Sequence, residues 1–148
     1  MNGLFCVAVH ALIYLDKRGC MLSSEELAAN ICTNPARVRK VMARLKKAGL
    51  VATKAGSEGG YHLLCAPGEV TLDRIADALE VRFVEPAWHS GGDMDCGCMV
   101  ASGMAGVMDG VFDDLDRHCR ERAAQLSLAD LETQLEQAAA GKETVHGL

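Results

Sequence analysis

Seven of the nine lysines and arginines in residues 1–65 fall between Leu27 and Ser57, a stretch with no acidic residue. Six of them lie in one helical segment, where Arg37, Arg39, Lys40, Arg44 and Lys47 point away from its apolar positions Val38, Val41, Met42 and Leu45. Cations packed this densely suit phosphate oxygens; a solvated lysine-rich helix is the plain alternative. The second chemistry is sulfur. Seven cysteines are an odd number that a closed set of disulfides cannot use up, which points to free thiols, metal ligands or redox sensors. Cys96-Gly97-Cys98 offers two thiolates to one metal or cluster. Asp93 and Asp95 beside it are expected to raise the thiol pKa values. Cys6 and His10 are four residues apart and share one face of a helix. The plain readings are a small buried hydrophobe for Cys6 and a satisfied core histidine for His10. Cys20, Cys32 and Cys65 have no partner at motif spacing and read as structural. His62, His89, His118 and His146 lack the context of a catalytic base. No Walker loop, nucleophile elbow or HExxH is present. No catalytic residue is therefore assigned and the chain reads as no enzyme. A small thiol- or metal-dependent enzyme, the competing class, would need a paired nucleophile and base.

The elements that position these groups must fit in 148 residues, one domain with an appended helical part. Apolar residues are 49% and charged residues 24%, an ordinary globular balance. The net charge of −5 hides two opposite halves. Residues 1–65 hold nine bases and four acids, a net of +5; residues 66–148 hold six and 16, a net of −10. A basic half joined to an acidic half fits a nucleic-acid face with a separate partner face. Aromatic residues at 4% are too few to build stacking platforms for single strands or RNA. The longest apolar run, residues 4–15, is shorter than the roughly 20 residues of a membrane span. It lacks the basic lead of a signal peptide, so a cytoplasmic chain with no membrane partner is expected.

Periodicity gives the order of elements. Residues 4–15 read as a helix with almost no polar face, covered on several sides, and Gly19 ends it. Ser23 and Glu26 form a capping box for a short helix over 24–31. Cys32-Thr33 is a tight turn. Asn34 caps the next helix, Pro35 takes its first position, and Gly49 closes it after Ala48. Val51–Lys54 and 61–64 read as strands around a glycine-rich tip. A helix starts at Thr71. Residues 81–98 read as a loop, with Trp88 and Phe83 covering its underside. Helical spacing resumes near Met104 and carries Val107, Val111, Leu115 and Cys119. Gly103, Gly106 and Gly110 imply either fraying or a very close neighbour there. Ser127 and Asp130 open a last helix, and 141–148 read as loose.

Helix, helix, turn, basic helix and two-stranded ribbon is the order of a winged helix-turn-helix. The second helix of the pair fits a major groove about 12 Å wide. Asn34, Arg37 and Lys40 sit at its leading end, toward base edges; Arg44 and Lys47, further along, face phosphates. Gly56, Gly59 and Gly60 would let the wing backbone approach a minor groove. A three-helix bundle with a solvated face and a winged-helix adaptor for protein contacts are the alternatives.

The motifs Asn34-Pro35-Ala36-Arg37-Val38-Arg39-Lys40-Val41, then 45–51, then 56–63, resemble the Rrf-type (IscR/NsrR/CymR/YwnA-like) family of bacterial transcriptional regulators over residues 2–137. The resemblance implies a fold that is mainly α with a small β-wing. It divides the chain into a DNA-binding domain at 1–80, a sensor loop at 81–100, and a dimerisation helix with a closing helix at 101–140. It implies a homodimer on a pseudo-palindromic operator in double-stranded DNA, paired through Val107, Val111, Leu115 and Cys119. It implies DNA contacts at Asn34, Pro35, Arg37, Arg39, Lys40, Arg44, Lys47, Lys54, Gly59, Gly60 and Tyr61. Members commonly carry arginine just before the first wing glycine; Ala55 stands there, with Lys54 beside it and Glu58 at the tip. Cluster-sensing members use three spaced cysteines before the dimer helix, whereas this loop has two, with no third until Cys119. Convergence of Cys6, His10, Cys96, Cys98 and Cys119 across a dimer is the remaining metal or redox hypothesis. An iron–sulfur cluster and no cofactor at all stay equally open.

Overall fold

The structure is a computed structural model that describes residues 3–86 and 91–146, with the backbone alone for 143–146. Trp88 and His89 lie outside the described residues. Helix α1 spans Gly3–Arg18 and buries Val7, Ala8, Ala11, Leu12, Ile13 and Leu15. Helix α2 (Ser24–Ile31) begins with the expected capping box: the Ser23 side chain accepts from the Glu26 amide, and Glu26 reaches back to the Ser23 amide. Cys32 ends it in the left-handed region, at φ 59°, and so forms the tight turn. Helix α3 (Pro35–Lys47) follows, with Asn34 Oδ1 accepting from the Arg37 amide at 2.8 Å.

Strands β1 (Val51–Lys54) and β2 (Gly60–Leu63) pair antiparallel, Val51 opposite Leu63 and Lys54 opposite Gly60. The second strand starts one residue earlier than the alternation suggested. The reason is a third partner: Leu22 and Tyr61 exchange backbone hydrogen bonds of 3.1 and 2.8 Å. Helix α4 (Leu72–Leu79) closes the first unit. Apolar side chains of α1 to α4, Leu50 and Val51 form one core, with Leu12, Leu27, Val38, Val41, Met42, Leu45, Ile75 and Leu79 all but sealed from solvent.

Helix α5 runs unbroken from Met99 to Ala123, five residues earlier than expected. Gly103, Gly106 and Gly110 neither fray it nor admit a close neighbour within the protomer, since a Cβ at each would meet open space. Helix α6 (Leu128–His146) also exceeds expectation, continuing through residues read as loose. Ser127 and Asp130 cap it reciprocally, at 2.8 and 3.2 Å. The α5–α6 junction is stitched to the start of α4 by two 2.9 Å backbone bonds, Leu72 to Leu126 and Leu128 to Val70.

Where α6 returns to α1, Glu132 is buried and its Oε1 has no partner among the described residues. Burial, and then a hydrogen bond to Asp16, push its carboxyl above the usual range, against the pull of Lys17. A raised folded pKa stabilises below the unfolded value near 4.5 and is lost as pH rises through the folded value. Glu132→Gln should therefore raise stability at neutral pH by on the order of 1 kcal/mol, a melting-temperature gain of about 2–4 °C, and have no such benefit below pH about 4. Thermal melts of both proteins at two pH values check this.

Candidate nucleic-acid interface and thiol sites

At 3.6 residues per turn, the buried positions Val38, Val41, Met42 and Leu45 define one side of α3. The opposite side is a single stripe, Ala36, Lys40, Ala43 and Lys47, and every member is exposed. Neither Lys40 nor Lys47 has a side-chain partner among the described residues, whereas three of the four cations on the two flanks, Arg39, Arg44 and Lys46, are engaged. Arg37 and Arg44 lie on one flank. The Arg37 guanidinium covers Gly3, where a Cβ would come within 2.9 Å of Nη2. Arg44 Nη1 donates to the Leu79 carbonyl at 2.6 Å. Arg39 and Lys46 lie on the other flank. Arg39 Nη1 donates to Ser24 Oγ at 3.2 Å and pairs with Glu25 at 3.3 Å; Lys46 Nζ donates to Thr53 Oγ1 at 2.9 Å. The flanking cations therefore hold the helix in its frame, and the small and cationic stripe between them faces outward. Arg44, expected at a phosphate, has one N–H engaged at the carbonyl end of α4.

The wing residues also have partners within the protomer. A Cβ at Gly59 would lie 2.0 Å from the Lys54 carbonyl oxygen, and one at Gly60 would lie 2.5 Å from that of Leu22. Both glycines are required by the ribbon's own backbone. Tyr61 is fixed to Leu22 through its backbone, and its half-buried side chain packs against the core. Pro35 is half-buried at the first position of α3, and Asn34 already spends its Oδ1 on the cap. Lys54 is exposed without a partner among the described residues.

Behind the recognition helix sits a network that periodicity did not reveal. Asp116 is buried on α5; its Oδ1 accepts from the Phe83 and Val84 amides at 2.8 and 2.9 Å, and its Oδ2 from Arg120 Nε at 3.2 Å. Burial acts to raise the Asp116 pKa, but the Val84 amide, Arg120 and the Phe83 amide outweigh it and hold the carboxyl below the usual range. Arg120 also reaches Asp77 at 2.5 Å and the Val81 carbonyl at 2.7 Å. Its guanidinium lies over Phe83, 5.9 Å from the ring centre, and that ring meets Phe5 edge-on at 5.3 Å. Phe83 thus fills the space between α1 and α5 at the start of the loop. Arg44 from α3 and Arg120 from α5 grip neighbouring carbonyls at the same end of α4. A sequence signal existed only in retrospect: Asp116 and Arg120 are four apart and so share one face of α5.

The cysteines separate into two places. Cys98 precedes the first residue of α5, and Cys96 Sγ accepts from the Cys98 amide at 3.4 Å. The amides of Ala101 and then Val100 hold the Cys98 thiol below its usual range, although neither closes a capping hydrogen bond of full geometry. For Cys98 this reverses the expected upward push of Asp93 and Asp95. The helix end is nearer and points its N–H groups at the sulfur. Gly92 at φ +70° seats the loop on this turn, where a Cβ would fall 2.0 Å from the Ala101 carbonyl oxygen.

Cys6 and His10 are elsewhere, on the wall of an open groove of about 600 Å³ between α1 and α6. Both are exposed rather than buried in a core, and His10 Nε2 lies 2.8 Å from Asn30 Oδ1. This open side of α1 departs from the expected cover on several sides. Cys119 is exposed on α5. Among the described residues no three His, Cys, Asp or Glu side chains gather closely enough to hold a metal ion. An iron–sulfur cluster needs about four ligands; within one protomer the residues present do not fit it.

A family model described as "Rrf2: Iron-dependent Transcriptional regulator" matches residues 2–134. The chain belongs to the Rrf2 family. It is a transcriptional regulator and not an enzyme. Among curated relatives, YwnA of Bacillus subtilis (strain 168), described as a candidate HTH-type transcriptional regulator, is 29% identical over 133 residues, covering 88% of this chain and 96% of YwnA. A crystal structure of a candidate transcriptional regulator from Lactobacillus plantarum superposes with a TM-score of 0.78 at 26% identity, over 99% of each chain. The IscR of T. potens shares the fold at 21% identity and a TM-score of 0.68, over 93% of this chain and 89% of that one. So does CymR, the global cysteine regulator of B. subtilis, at 19% and 0.63, over 90% and 96%. These structures agree with a mainly helical fold carrying a small β-wing. No helix among the described residues is long and apolar enough to cross a membrane.

Proposed function

We propose that this Rrf2 chain is a homodimeric regulator that lays the Ala36-Lys40-Ala43-Lys47 face of α3 into the major groove of a two-fold operator. The outward stripe carries the reading: alanines permit close approach, lysines meet phosphates, and the flanking cations keep the helix at a fixed angle. The second head comes from a second copy. Helix α5 is 25 residues long yet buries only Asp116 and Ala123, leaving Val107, Val111 and Leu115 exposed. An apolar stripe of that length calls for a mate. Cys119 lies exposed on the same helix.

The signal enters at the Cys96–Cys98 loop. Iron dependence in the family description and cysteine regulation in CymR are precedents for metal and thiol signals; the Cys98 thiol, held below its usual range by the amides at the start of α5, supports the thiol form. A change there moves α5, Arg120 carries the movement to the end of α4, and Arg44 passes it to α3. The spacing of the two heads, and with it operator affinity, then changes.

Titration of a labelled mixed-sequence duplex against salt tests the reading. Wild type should show a steep slope, and each of Lys40→Ala and Lys47→Ala should reduce it by about 0.9 for every phosphate no longer neutralised. Unchanged slopes in both variants would overturn the assignment of the face. In the same assay, thiol oxidation should alter wild-type affinity and leave the Cys96→Ser, Cys98→Ser variant at its starting value.

A further inference from the structure

Helix α3 is built of a proline, cations, alanines and buried apolar residues, and it has no acid, amide or hydroxyl side chain. That restricts what its outer face can read. In the major groove each base pair shows its own pattern of acceptors and donors, and thymine alone adds a C5 methyl group. The amino groups of adenine and cytosine need a side-chain acceptor, and α3 supplies none. The nearest acceptors are already taken. Asn34 Oδ1 holds the Arg37 amide at 2.8 Å, and Glu25 pairs with Arg39 at 3.3 Å. Lysine and arginine donors suit guanine as well as phosphate. The other contact open to this face is apolar. Ala36 and Ala43 are exposed on the outward stripe, while Arg39, Arg44 and Lys46 are drawn aside to partners within the protomer. The two alanines are seven residues apart, within about 20° of one line along the helix and about 10.5 Å along its axis.

We propose that Ala36 and Ala43 are sequence-reading residues, each packing its methyl group on the C5 methyl of a thymine. The inference rests on the placement of α3 in the major groove argued above. At about 3.4 Å per base pair, the separation of the two alanines spans about three base pairs. Each half-site therefore carries two thymines at about that spacing, and the two-fold axis repeats them inverted. Lys40, between the alanines, reaches past them to the phosphates on its flexible stem. Such a code depends on the methyl and not on the base that bears it. Uracil keeps the thymine O4 and lacks the methyl, whereas 5-methylcytosine carries the methyl on a different hydrogen-bonding edge.

Selection of sites from random duplexes with the full-length protein, followed by single-base exchange in the selected site, tests this. Uracil for thymine at one read position should weaken binding by about fourfold, and by about 16-fold when made in both half-sites, from the burial of one methyl-sized group at each. With cytosine at that position, methylation of its C5 should strengthen binding by about fourfold. Ala36→Gly and Ala43→Gly should each make one of the two thymines indifferent to uracil and leave the other sensitive. The cost of glycine to the helix falls on both duplexes alike and cancels in the ratio. Selected sites without paired thymines, thymines that all tolerate uracil, or a uracil effect unchanged in both glycine variants would overturn the proposal. Salt slopes separate this failure from that of the underlying placement. Slopes that fall in Lys40→Ala and Lys47→Ala while uracil is tolerated throughout remove the alanines as readers and leave the helix in the groove; slopes that stay at the wild-type value end both.

Discussion

Asp116→Ala should lower the stability of this protein by about 3 kcal/mol or more, the cost of leaving a buried charge network without its acceptor. The carboxylate accepts from both the Phe83 and Val84 amides and is one of three acceptors around Arg120. Its removal leaves two part-buried N–H groups unpaired where the loop leaves α4, and takes from Arg120 its acceptor one turn back on α5. At about 2–4 °C per kcal/mol for a chain of this size, the melting temperature falls by about 6–12 °C. Asp116→Asn, which keeps an acceptor and loses the charge, should fall between the two. The pH profile separates charge from shape. A depressed folded pKa stabilises above the unfolded value near 3.8 and is lost as pH falls through the folded value. The gap between wild type and Asp116→Asn should therefore be constant near neutrality and close in acid. Melts of Asp116→Ala that match wild type at neutral pH would show that α5 is not fastened to the loop through this residue, and would remove the route from loop to recognition helix.

Val107→Asp combined with Leu115→Asp should turn the proposed dimer into a monomer with the protomer fold intact. Val107 is 62% and Leu115 48% exposed in the protomer, so aspartate at either position costs the isolated fold little. Buried against a second copy, each carboxylate costs a few kcal/mol, and two of them weaken association by more than about 100-fold. Sedimentation at micromolar protein should show the loss. Operator affinity should fall by about 10²–10⁴, since two heads on one duplex act at high effective concentration and one head does not. A variant that still sediments with wild type, or a wild type that is monomeric throughout, would reject α5 as the seam.

How much of this was legible in the sequence can be judged residue by residue. The capping box at Ser23 and Glu26, the Asn34–Pro35 start of α3 and its buried set were readable because caps and helical periodicity are local. Their signals lie within four residues of one another. Positive φ at Gly49 was readable for the same reason. The early start of α5 was missed because three glycines argue against a helix by propensity, and propensity is a weak prior in a long element. The wing glycines were assigned to an outside partner because sequence cannot show which backbone passes within 2.5 Å.

The order of elements, the placement of charge on α3 and membership of the Rrf2 family followed from the residues themselves, since each depends on neighbours along the chain. The division of labour among the cations did not. Only the packed structure shows Arg44 turned to the end of α4, Arg39 paired with Glu25, and Lys40 and Lys47 left facing out. The same holds for Asp116 joining residue 83 to residue 120, and for Asn30 joining His10 across 20 positions. A hydrogen bond between distant segments is a property of their distance in space, which no periodicity along the chain encodes.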